Sequence, residues 1–168
     1  THWGLKDWKE AAAAWDLSAQ VSEEYLERGR QEELHSLARS LYWKARAEKI
    51  LGECAAEVVT RTELVSVRER ICEVFDSPVE EQRKLAEARA GLGSAMGRLA
   101  LREGGEPPVL APVIEQLSSA SREIHRLHIG EIPKIGHSAW YWYELAWYQK
   151  RAGAIVEARR TLKQLELL

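Results

Sequence analysis

Apolar positions along this chain recur at three- and four-residue intervals almost throughout, the period of an amphipathic helix, and no stretch alternates as a half-buried strand would. Leu5, Trp8, Ala12, Trp15 and Ala19 form a first stripe, from which Val21 and Tyr25 are slightly rotated; it predicts a helix from about Leu5 to Arg28, ended by Gly29. Leu34, Ala38, Leu41, Ala45 and Leu51 predict a second helix from about Glu32 to Val59, and Leu64, Val67, Ile71, Val74 and Phe75 a third that begins near Thr62. The sharpest local signal is Ser77-Pro78-Val79-Glu80: Ser77 can cap a new helix, Pro78 suits its first position and Glu80 completes a capping box. That fourth helix carries Val79, Leu85, Ala88, Leu92, Met96 and Leu99 and stops at Gly104-Gly105. The segment GGEPPVLAP, residues 104–112, reads as the one linker, because its glycines and prolines oppose helix continuation. A fifth helix uses Ile114, Leu117, Ile124 and Leu127, and a break at IGEIPKIGH leads to an aromatic-rich sixth. Gly153 then separates a last helix bearing Ile155, Ala158, Leu162 and Leu165. The expected fold is a single all-α domain over residues 1–168, a bundle of six or seven helices. Long N-terminal helices fill 1–103, a loop 104–112 and C-terminal helices 113–168.

The aromatic helix, AWYWYELAWYQK from Ala139 to Lys150, has more large rings than one core-facing stripe needs. On a helical wheel Trp140, Tyr143 and Trp147 fall within a sector of about 60°, Tyr141 and Tyr148 lie about 90° from it, and Trp142 points to the far side. Aromatic surface on several sides implies packing on two sides. The expectation is Trp140, Tyr143 and Trp147 inward, with Tyr141, Trp142 and Tyr148 in a subunit interface, where Trp and Tyr are enriched. The alternative is full burial beneath Trp3, Trp8 and Trp15.

Composition narrows the setting. Hydrophobic residues at 45% and charged residues at 30% fit a soluble globular chain. No apolar run approaches the roughly 18 residues that span a bilayer, so no membrane insertion is expected. The N-terminus, THWGLKDWKE, lacks the layout of a signal peptide, and the expected location is the cytoplasm or a virion. Asn is absent, Met occurs once, and Arg outnumbers Lys sixteen to eight. Such a composition is heat-adapted, or else reflects GC-rich codon usage. Residues 1–33 carry four basic and eight acidic side chains, so the chain does not read as a nucleic-acid coat over its whole surface. A local basic face stays open. Arg39, Trp43 and Arg46 share one face of the second helix with Lys49 adjacent, and are the candidate nucleic-acid contacts: Arg grips phosphate and Trp stacks. The alternative is a solvated face with a partly packed Trp and snorkelling arginines.

No catalytic motif, cofactor loop or complete metal site is legible, and the chain is expected to be non-enzymatic and free of cofactors. His125 and His128 form an HxxH pair with Glu131 and His137 nearby, but a third ligand at helical spacing is missing. Cys54 and Cys72 match no metal or redox spacing, which leaves buried thiols or a disulfide. Gly91, Gly93 and Gly97 lie inside a helical pattern with no preceding strand, where small residues let a neighbouring helix approach closely.

Three resemblances bear on function. Arg122 and His128 have the Arg-x5-His spacing of HEPN-type RNases, and Ala19–Leu51 looks like the opening helical pair of that family. Such a likeness implies an Arg that steadies phosphate charge and a His that moves a proton. Trp142, Leu145, Ala146, Gly153, Ala158 and Leu162 resemble one tetratricopeptide hairpin, from which Gln149 and Leu165 depart, and this implies a helical adaptor. In overall character the chain is similar to the all-α major capsid proteins of filamentous viruses of hyperthermophilic archaea. That likeness implies self-association with an identical or paralogous subunit, and double-stranded DNA wrapped by basic residues of the N-terminal helices.

Overall fold

The computed structural model describes residues 4–76, 78–104, 106–127 and 135–165, with side chains at 107–108 and 135–138 set aside. The protein is all-α. Its described residues form α1 (Leu5–Glu27), α2 (Glu33–Leu51), α3 (Cys54–Val74), α4 (Val79–Arg102), α5 (Pro107–Leu127), α6 (Ile135–Arg151) and α7 (Ile155–Leu165). Contacts group these into two compact units, Thr1–Ala88 and Arg89–Leu168, so the division falls inside α4 and not at the glycine-proline segment.

Helix ends follow local chemistry. The Gly4 amide donates to the Asp7 carboxylate at 2.8 Å at the start of α1, and Gly29, at φ +86°, takes the left-handed turn after it. Two expected boundaries are corrected. The second helix ends at Leu51, eight residues early, because Gly52 turns left-handed at φ +76° and the Glu53 amide closes back on the Glu48 carbonyl at 2.9 Å. The third therefore begins at Cys54 instead of near Thr62. Residues 107–112, expected as loop, form the first turns of α5. Pro107 and Pro108 sit where a helix has no amide partner to lose, and only Pro112 removes an internal bond. Burial of Leu110 and Val113 offsets that loss. The Ser77 cap lies outside the described residues.

In the first unit α1 and α2 run antiparallel. Leu34, Leu37, Ala38 and Leu41 of α2 meet Ala19 of α1, Leu64 and Ile71 of α3 and Ala88 of α4. A polar seam crosses this unit. The Ser18 and Ser40 hydroxyls lie 2.9 Å apart, Asp16 pairs with Lys44, the Thr60 hydroxyl donates to Glu48 at 3.0 Å, and Arg61 donates to the buried Glu57 at 2.8 Å. Glu48 is 5% exposed and its second oxygen has no partner among the described residues. Burial pushes its carboxyl above the usual range, and the Thr60 hydrogen bond and Lys44 charge offset only part of this. Burial and a hydrogen bond shared with Glu23 raise Glu63 in the same way.

Folding thus raises the Glu48 pKa, so the native chain holds that proton more tightly than the unfolded one. The contribution to stability is full below the ordinary carboxylate range and is lost as pH rises through the raised value. Glu48→Met removes the buried charge and leaves Thr60 able to bond its own helix. It is expected to stabilise the protein at neutral pH by about 1 kcal/mol, raising Tm by about 3 °C. The gain should shrink near pH 4, and thermal melts at the two pH values check it.

The second unit has a separate core. Ala100 of α4, Leu110, Val113 and Leu117 of α5, and Trp142, Leu145 and Tyr148 of α6 pack together, flanked by Met96, Ile114, Tyr141 and Leu165. Gly153, at φ +84°, turns α6 into α7, and the Thr161 hydroxyl ties back to Gln149 at 2.8 Å. No helix of the described residues is long and apolar enough to cross a membrane.

Candidate interaction surfaces

The inward and outward sets expected for α6 are reversed. Trp142 is 7% and Tyr148 4% exposed, and Tyr141 packs against the same core. The three residues expected at a subunit interface therefore belong to the interior of their own unit. Trp140, Tyr143 and Trp147, expected inside, are 54%, 54% and 40% exposed. The cause lies on α4: Gly97 brings its backbone against the Tyr148 ring, and Ser94 donates to the Glu144 carboxylate. Those contacts turn the Leu145–Trp142–Gln149 side of α6 inward. The missed signal was charge. Glu144, Lys150 and Arg151 lie in or beside the sector of Trp140 and Trp147, so that sector is where α6 meets water.

The exposed rings make a continuous face. Trp140 and Tyr143 have centroids 6.1 Å apart, Trp147 meets Tyr148 edge-on at 5.0 Å, and the Arg151 guanidinium lies 5.7 Å from the Trp147 centroid. Between this face and α4 is an open cleft of about 270 Å³, lined by Leu101, Trp140, Tyr143, Glu144, Trp147 and Tyr148. Burial, with Glu144 adding to it and Arg98 opposing, pushes the Tyr148 phenol up to about 12, so it stays neutral.

On α2 the nucleic-acid candidates are brought to one side. Arg39, Arg46 and Lys49 are exposed, and Trp43 is half-buried. Trp43 is already engaged: Trp15 of α1 stacks on it at 6.3 Å and 20°, Tyr42 meets its edge at 5.4 Å, and the Arg46 guanidinium sits 5.2 Å from its centroid. Trp43 therefore positions Arg46 and is not an open platform for a base. Neither Arg39 nor Arg46 makes an ion pair among the described residues.

The remaining candidates lie partly outside the described residues. Arg122 is exposed and its Nε donates to the Ser118 carbonyl of its own helix at 3.2 Å, while His128 lies outside the described residues. Glu131 and the His137 side chain lie outside them too, and the described residues contain no group of three metal-ligating side chains. Cys54 and Cys72 are free thiols. They sit at opposite ends of α3, about 27 Å apart at 1.5 Å per residue, too far for a bridge.

Comparison with known protein families, curated proteins and solved structures finds no match.

Proposed function

We propose that this chain is a non-enzymatic structural subunit that associates with copies of itself through the exposed aromatic face of α6. The carrying observation is the set of three large rings, Trp140, Tyr143 and Trp147, left side by side in solvent by a helix whose opposite side fills a core. A contiguous exposed apolar patch of this kind marks an interaction surface, and Trp and Tyr are the residues that most often carry binding energy there. Light scattering with electron microscopy tests it: particles larger than one chain support it, and a lone chain at every concentration removes it.

The finer reading is a capsid or nucleoprotein subunit on double-stranded DNA, with Arg39, Arg46 and Lys49 of α2 on the phosphates and Trp43 holding Arg46 in place. What supports it is the pair of exposed arginines without carboxylate partners among the described residues. Arg39→Gln and Arg46→Gln should each lower the slope of log affinity against log salt by about 1, equally for unrelated duplex sequences. Anisotropy of a labelled duplex over a salt series measures this, and an unchanged slope places the contacts elsewhere.

A second reading, a helical adaptor of tetratricopeptide type, is favoured by the α6–α7 hairpin. Gly153 turns it, and Trp142, Leu145, Ala146 and Ala158 are buried where that repeat wants its packing residues. An adaptor would remain a single chain alone and enlarge only with a different protein.

A further inference from the structure

The cleft beside the aromatic face carries one carboxylate among rings and Leu101, and the same face carries one guanidinium that has no carboxylate among the described residues. Glu144 accepts from Ser94 through one oxygen, and its other oxygen has no partner among the described residues. Arg151 leans on Trp147 and makes no ion pair among the described residues. The two are not paired within the chain: Ser94 holds Glu144, the Trp147 ring holds Arg151, and about 10 Å of helix lies between them.

Their positions relative to Trp147 have a symmetry of their own. Glu144 lies about 4.5 Å before Trp147 and Arg151 about 6 Å after it along the axis, and both are displaced around the helix to the same side, by about 60° and 40°. In an antiparallel helix pair related by a two-fold axis, residues at equal and opposite axial offsets on the same flank meet across the interface. An axis passing within an ångström of Trp147 therefore brings each Arg151 to the other copy's Glu144, twice. It sets the two Trp147 rings together at the centre of the seam.

Resting on the self-association reading above, we propose that the occupant of this cleft is the Arg151 guanidinium of a second copy, in an antiparallel α6–α6 pair centred on Trp147. The chemistry is complementary on each wall: a carboxylate fixed by Ser94 for the fork of donors, and electron-rich rings for its flat face. Arg151 is preset for this by its contact with Trp147. The pairing also sets register, because sliding the helices by one turn leaves both carboxylates and both guanidinium groups unpaired in a desolvated seam.

Charge exchange tests the register. By sedimentation equilibrium, Glu144→Arg and Arg151→Glu should each associate at least tenfold more weakly than the native chain. An equimolar mixture of the two should recover native affinity, because the mixed pair restores both ion pairs. If the native chain associates but both variants match it, or if their mixture is no better than its components, the register is overturned while self-association stands. A native chain that never associates overturns both. Should Glu144→Arg lose the helical circular dichroism of the native chain, a cycle of Glu144→Gln, Arg151→Gln and the double variant replaces it. The double should then weaken association no more than either single, and additive losses overturn the pairing.

Discussion

Gly97→Ala is expected to destabilise the protein by about 2 kcal/mol, which for a chain of this size lowers Tm by about 4–8 °C. A β-carbon at position 97 would lie 2.1 Å from the Tyr148 hydroxyl oxygen, 2.2 Å from Cζ and 2.8 Å from Cε1. All three are far inside van der Waals contact. Tyr148 is buried with its ring edge against Trp147, so it cannot swing clear without opening the core around Ala100 and Leu145. Against this, replacing a mid-helix glycine by alanine gains about 1 kcal/mol of helix propensity, which overpacking outweighs. Tyr148→Phe should not rescue the variant, because Cζ remains in place. Tyr148→Leu, which removes the ring, should recover part of the loss. Thermal melting by far-ultraviolet circular dichroism reads all four proteins, and a Gly97→Ala chain as stable as the native one would show that α4 and α6 are not held this close.

The second large effect separates the two sides of α6. Trp140→Ala with Trp147→Ala is expected to weaken self-association by roughly a hundredfold, the range of two central aromatic anchors at an interface. Helix content should hold and Tm should fall by only about 2–4 °C, because Trp140 and Trp147 are 54% and 40% exposed and what is lost inside the unit is mainly the edge contact of Trp147 with Tyr148. Trp142→Ala should do the reverse and cost about 3–5 kcal/mol of stability, since it leaves a large cavity between α5 and α6. A double variant that melts early would place Trp140 and Trp147 in the core after all.

Several elements were legible from residues alone because one residue decided each. Gly29 and Gly153 end helices by taking left-handed conformations that other residues resist, and both positions read correctly. The small residues Gly93 and Gly97 suggested close helix approach, and Leu117 and Tyr148 are the side chains that come close. What was not legible depended on competition between neighbours. Gly52 sits in an unbroken apolar rhythm, so periodicity ran across it to Val59, and only the backbone closure onto Glu48 reveals the break. Pro107 and Pro108 read as helix breakers when they are helix starters, a difference of register that a composition argument cannot see. For α6, rings on several sides made hydrophobicity uninformative, and the deciding facts were the glycine opposite Tyr148 and the serine opposite Glu144. On α2 the grouping of Arg39, Trp43 and Arg46 was visible from spacing, whereas the stacking of Trp15 that engages Trp43 required knowing which helix lies beside it.

Self-association as proposed covers the exposed face of α6 with another copy of the chain. Sedimentation velocity of the native protein, run as a concentration series, addresses it most directly. The expected result is a species heavier than the 19.1 kDa single chain that grows with concentration and reverts toward one chain in the Trp140→Ala, Trp147→Ala variant. A native protein that stays at 19.1 kDa up to about 100 µM, a range in which a working interface of micromolar affinity would be saturated, contradicts it.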